Sequence, residues 1–126
     1  MATLTLKRLN NTFTIHSFPA NSEIPSEVFK QHMYFIAKTN DEVSVVAPST
    51  LMLLSEDSEP DWQALEVVGP LDFSLTGILS KISTILANKK ISIFAISTFD
   101  TDYVLVKSNK IDSAITALTN NNYQVI

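Results

Sequence analysis

Cysteine is absent from this chain, and its 126 residues include only two glycines, Gly69 and Gly77. The lack of cysteine excludes disulfides, thiol catalysis and thiolate metal sites. The scarcity of glycine makes each one informative, because glycine serves where backbone takes unusual angles or approaches another group closely. Basic residues are also few. Nine Lys and Arg stand against thirteen Asp and Glu, for a net charge of −4 and a pI near 5.0. They are scattered, and the longest basic runs are the pairs Lys7-Arg8 and Lys89-Lys90. The second pair follows a helical stretch, where cations complement the dipole. Such a balance argues against nucleic acid and anionic membrane as partners. No stretch reaches the roughly 18 apolar residues of a membrane-spanning helix. The segment Met1 to Arg8 lacks the apolar run of a signal peptide. A cytoplasmic protein is therefore expected. The only histidines are His16 and His32. No Ser-His-acid order with a nucleophile elbow, phosphate loop, histidine metal pair or nucleotide fingerprint occurs. No catalytic residue, cofactor or metal site is expected. An enzyme would have to use a histidine in a setting the sequence does not show.

What is present is a hydrophobic content of 45%, enough for a globular interior. The length suits one compact body or two small subdomains sharing a core. The C-terminal half carries the clearer pattern. Leu65 to Gly69 reads as a strand ending in a Gly-Pro turn. A helix then opens near Ser74, with Ser74 as N-cap and Asp72 near the positive helix end. Its apolar stripe is Leu75, Ile78, Leu79, Ile82, Ile85 and Leu86, and Asn88 is the stop. Ile91 to Thr98 is β-branched and aromatic, so a strand is expected. Phe99-Asp-Thr-Asp102 supplies turn chemistry, and Tyr103 to Lys107 is the return strand. Ile111, Ala114, Ile115 and Leu118 form a second helical stripe that Asn120-Asn-Asn122 ends. Tyr123 to Ile126 is a last strand. The order β-α-β-β-α-β is the split arrangement of ferredoxin-like folds.

The N-terminal half reads as a worn copy. Thr12 to Phe18 alternates like a strand and ends at Pro19, as the later strand ends before Pro70. Tyr34 to Ala37 and Val43 to Ala47 flank Thr39-Asn-Asp-Glu42 like the later hairpin. Pro19 and Pro70 are offset by 51 residues and Glu42 and Asp102 by 60, so the first helix is nine residues shorter. It would be Ser26 to Gln31. Ser55 to Asp61 is polar and acidic and reads as an exposed connection. Thr3 to Leu9 is an extra alternating segment, and Trp62 reads as a packing residue. The expected organisation is an N-terminal degenerate repeat over 1–61 and a C-terminal repeat over 62–126, an α+β protein with antiparallel sheets.

Two segments carry a family resemblance, Val67-Val-Gly-Pro-Leu-Asp-Phe-Ser-Leu-Thr-Gly-Ile-Leu79 and Ile91 to Lys107. With Asp41-Glu-Val-Ser-Val-Val46, they resemble tandem ACT-domain proteins: a small bacterial group, aspartokinase-type repeats and cytosolic arginine sensors. Gly77-Ile-Leu79 is similar to the Gly-x-Leu helix opening of ACT repeats. The resemblance implies two ACT repeats and a regulatory protein that binds an amino acid or similar small ligand between repeats or subunits. It also implies a homodimer, and a separate protein as any regulated enzyme. The implied ligand loop runs from Gly69 to Gly77, with Asp72, Phe73, Ser74, Leu75, Thr76 and Gly77 as its candidate ligand residues. Asp72 would hold an ammonium group or merely favour the helix end. Ser74 and Thr76 would meet a carboxylate beside free helix amides, or Ser74 would only cap. Ser97, Thr98, Phe99, Asp100 and Asp102 form the second candidate side, their alternative role being turn formation and packing. Val43, Ser44 and Val45 form a third through their strand backbone, unless they serve only core and ladder. The alternative function is a ligand-independent interaction module that regulates a separate enzyme.

Overall fold

The computed structural model describes residues 4–68 and 76–126. Strand β1 spans Thr5–Pro19, β2 Phe35–Lys38, β3 Glu42–Pro48 and β4 Asp57–Val67. Helix α1 (Ile78–Asn88), β5 (Ile93–Ser97), β6 (Asp102–Lys107), α2 (Ile111–Asn120) and β7 (Gln124–Val125) complete the chain. Short 3-10 turns occupy Ser26–Lys30 and, just before α2, Ser108–Lys110. The chain divides into two compact units, one made of residues 1–10 and 63–126 and the other of 11–62. Strands β1 and β4 each contribute to both.

In the helical unit the strand order is β7-β1-β4-β6-β5. This is the split βαββαβ arrangement with the first part of β1 inserted between the outermost strand and β4. β1 runs parallel to β7, Thr5 opposite Gln124 and Leu6 opposite Val125. β5 and β6 form an antiparallel hairpin from Ile93↔Val106 to Ser97↔Asp102. Alternation sends Leu65 and Val67 of β4, and Val104 and Val106 of β6, to one face. There they meet Ile82 and Leu86 of α1 and Ile111, Ala114 and Leu118 of α2 in one buried cluster with Leu6, Ile91 and Tyr123. Each leucine- or isoleucine-sized side chain removed from water contributes about 1.5–3 kcal/mol.

In the other unit β3 lies between β2 and β1, and the first part of β4 lies on the far side of β1. β1 and β3 pair from Phe13↔Pro48 to Pro19↔Glu42, and β2 and β3 from Phe35↔Val46 to Lys38↔Val43. This is again a βαββαβ strand order. The 3-10 turn stands for the first helix, and residues 49–56 contain no helix at all. Phe18, Val28, Val43, Val45 and Ala47 form the core, with Leu51 and Leu53 packed against it.

Three expectations change. Ser55 to Asp61 is not simply a connection, because β4 begins at Asp57. All side chains from Asp57 to Asp61 are exposed, so no alternation betrays the strand, while backbone pairing with β1 is indifferent to polarity. Thr3 to Leu9 and Thr12 to Phe18 are, over the described residues, one continuous strand that runs through Asn10-Asn11. The first long helix begins at Ile78 rather than near Ser74. Its N-cap is Gly77 at φ +76°, a left-handed conformation in which a Cβ costs about 1–2 kcal/mol. A Cβ there would meet no atom within 4 Å, so dihedral angle and not space explains the glycine.

Candidate functional site

The β5–β6 turn is built by threonine rather than aspartate. The Thr98 amide and hydroxyl both donate to the Thr101 carbonyl (2.8 and 3.0 Å), and the Thr98 hydroxyl accepts from the Thr101 amide (3.2 Å). Thr101 is itself buried. Its hydroxyl donates to the Val67 carbonyl at the end of β4. One residue on, the Val68 amide donates to the Thr5 carbonyl of β1 (2.9 Å). The turn is thereby anchored to the end of β4, where the chain enters residues 69–75.

Five expected site residues lie in or beside this turn. Ser97 and Asp102 are register partners, and the Ser97 hydroxyl donates to the Asp102 carboxylate. Thr98 has its hydroxyl engaged in the turn. Phe99 is 81% exposed, and Asp100 is exposed beside it. The expectation that Asp side chains tie the turn is therefore corrected. Thr98 and Thr101 supply those bonds, as Ser and Thr hydroxyls do in ST turns, which leaves the Asp100 carboxylate to act as a charge. Its field reaches Tyr103. Burial first, then the negative charges of Glu66 and Asp100, raise the Tyr103 phenol above its ordinary pKa. By alternation Glu66 and Tyr103 lie on the sheet face opposite the helices. This end of the sheet is thus marked by carboxylates on Glu66, Asp100 and Asp102.

Thr76 and Gly77 are exposed at the entrance to α1, whose first turn has no side-chain cap and no acidic residue. Asp72, Phe73, Ser74 and Leu75 lie outside the described residues, as does Gly69. Val43, Ser44 and Val45 belong to the other unit. Val43 and Val45 are buried core residues. Ser44 faces the opposite side, where it and Ser17 donate to the Glu42 carboxylate (3.0 and 3.4 Å). Sequence reasoning missed Thr101, Glu66 and Tyr103. The Thr-x-x-Thr spacing at 98 and 101 was a usable signal for the turn. The bond from Thr101 to Val67 spans 34 positions and leaves no local trace. Among the described residues no three His, Asp or Glu side chains are grouped to hold a metal ion. Among them also no helix is long and apolar enough to cross a membrane.

A βαββαβ sheet with two helices on one face, its hairpin turn anchored to the end of the first strand, defines the ferredoxin-like α+β class. Within that class the ACT domain profile matches residues 57–120, and the chain belongs to the ACT-domain family. The mouse protein "Cytosolic arginine sensor for mTORC1 subunit 1" is 34% identical over 102 residues, covering 79% of this chain and 30% of that one. The chain thus spans about a third of the length of that relative. Among solved structures, protein Atu0741 from Agobacterium tumefaciens is 29% identical, with a TM-score of 0.91 over 100% of this chain and 94% of that chain. The ligand-free regulatory subunit of aspartate kinase from Thermus thermophilus shares the fold. Its TM-score is 0.68 at 13% identity, over 95% of this chain and 98% of that one.

Proposed function

We propose that this protein is a non-catalytic regulatory module that binds an amino acid, with a cationic side chain preferred, at the β5–β6 end of its helical unit. In this reading the chain is a tandem of two ACT repeats, the first reduced. ACT domains typically bind small molecules and regulate, and the family match supports that part. The observation that supports the finer part is the placement of exposed Asp100 in the turn anchored at Val67, with Glu66 the residue before that anchor. Carboxylates at the rim of a sheet attract an ammonium or guanidinium group, and Asp102 adds a third acid beside Ser97. The name of the mouse relative makes arginine the first compound to test. Binding would shift the population of two arrangements of the protein, or of a homodimer, only as far as the ligand's affinity differs between them. A separate enzyme would read that shift.

The test is a thermal-shift panel of the twenty amino acids on purified protein. A specific ligand at about a hundredfold excess over its dissociation constant adds roughly 2.7 kcal/mol to stability. A selective hit that weakens in Asp100→Asn and Glu66→Gln supports the reading. A flat panel on folded protein sinks it and favours ligand-independent association with a partner protein.

A further inference from the structure

In the unit of residues 11–62, residues 49–56 take the place of a second helix and act as a strap across one sheet face. The strap is tied to β1 near both ends. The Ser49 amide donates to the Thr12 carbonyl (2.9 Å), and the Glu56 amide donates to the Ser17 carbonyl (3.0 Å). Two side-chain pairs repeat the ties. The hydroxyls of Thr14 and Ser49 lie 3.0 Å apart, and His16 Nδ1 lies 2.9 Å from the Ser55 hydroxyl. Leu51 and Leu53 turn inward onto the core, whereas Met52 and Leu54 are 88% and 100% exposed. Apolar contact is thus made by alternate residues only, and polar ties supply the rest of the hold.

His16 is the weak point of this arrangement. It is 5% exposed, opposite Val45 in the ladder, with its ring centroid 6.2 Å from that of Phe18. Its Nε2 is buried and has no hydrogen-bond partner among the described residues. In the neutral ring the single N–H can be placed on Nδ1 toward Ser55, which leaves Nε2 a bare acceptor. An imidazolium has two N–H donors and a full charge, and one donor would point into apolar surroundings. The charged and titratable groups on the neighbouring elements do not offset this. They are Glu27 and Lys30 on the 3-10 turn, His32 after it, Lys38 on β2, Glu42 on β3, Glu56 on the strap, and Asp57, Glu59 and Asp61 on β4. All are exposed, and burial alone holds the His16 pKa below its ordinary value.

A proton can therefore reach His16 at low cost only if the ring gains water. β3 covers one flank of β1 with seven register pairs, whereas the strap, beyond the Ser49–Thr12 bond that extends this register, forms no ladder of its own. We propose that the strap is an acid-released flap: protonation of His16 leaves its Nε2–H a buried donor without a partner, and residues 49–56 lift from the sheet face to admit water while the helical unit stays folded. The sign follows from linkage. The closed form has the lowered pKa and the open form the ordinary one near 6.5, so the open form gains a proton as pH falls below that value. Opening is then favoured by at most about tenfold per pH unit, and the gain ends below the closed-form pKa.

Hydrogen exchange tests this on the whole protein, with rates corrected for intrinsic chemistry. Between pH 7.5 and 5.5 the opening constants at the Ser49 and Glu56 amides are expected to rise by up to about tenfold, while those in α2 do not. In His16→Gln, neutral at every pH, the rise is expected to vanish. An NMR titration of the wild type keeps the test valid if that variant does not fold. Only two imidazoles are present, and the strap amides are expected to shift with the midpoint of His16, not His32. An unchanged opening constant, an equal rise in α2, or a midpoint following His32 or the carboxylates would overturn the proposal.

Discussion

The two units share one strand order and differ in what covers it. In the helical unit, α1 and α2 lay Ile82, Leu86, Ile111, Ala114 and Leu118 over the sheet, and the buried cluster is apolar apart from the Tyr123 phenol. In the other, one 3-10 turn and a strap do the covering, and Thr14 and His16 lie buried on the same sheet face. A helix satisfies its own backbone and can present a wholly apolar stripe. An extended strap cannot, so it needs polar ties to the sheet beneath, and those ties bring hydroxyls and an imidazole into the interior. The contrast teaches that one strand order can be covered by two helices or by a 3-10 turn and a polar-tied strap.

The sharpest way to strain this comparison is to hollow the helical unit. Leu86→Ala is expected to lose about 2–5 kcal/mol, read by denaturant unfolding. Val28→Ala, the matching deletion under the 3-10 turn, should lose less, at most about 3 kcal/mol, the full worth of burying its side chain. Equal losses would mean that the thin cover packs as well as the thick one. Next comes Thr101→Val, which keeps the shape and deletes the donor to the Val67 carbonyl; about 1–3 kcal/mol should go. It should also weaken any ligand response, as seen by repeating the amino-acid panel on the variant. Gly77→Ala follows at about 1–2 kcal/mol, from the left-handed N-cap alone. The smallest expected effect is Ser97→Ala, within about 0.5 kcal/mol because the site is exposed. A larger loss would show that the Ser97–Asp102 pair organises the turn. Stability as a whole should rise with pH from below the His16 pKa up to about 6.5, and His16→Gln should flatten that slope.

How far the sequence disclosed all this depended on whether a segment has one buried face. The stripes of α1 and α2 were legible because burial on one side writes a period into the residues. The short 3-10 turn at Ser26–Lys30 was legible through the nine-residue deficit. The acidic start of β4 was not, because strand pairing holds Asp57 to Asp61 in place without burying any of them. Asn10-Asn11 resembles a break, yet β1 passes through it, since ladder bonds ignore side-chain type. At the helix start, Leu75 extended the apolar stripe on paper, and only the φ of Gly77 locates the cap. The hairpin around Ser97 to Asp102 was legible, but its side-chain bonds were not, because the threonine that anchors the turn bonds a carbonyl far away in sequence.

The helical unit draws on residues far apart in the sequence: Leu6, fully buried, belongs to the same cluster as Leu118 and Tyr123. During synthesis the strand holding Leu6 must therefore wait for β7 to be made before the two can pair. Such long-range pairing slows folding, and a chaperone has time to meet the unpaired strand. It also bars a simple division of the gene. A fragment starting at residue 63 lacks the strand that pairs with β7, so its autonomous folding would require that strand to be supplied in trans.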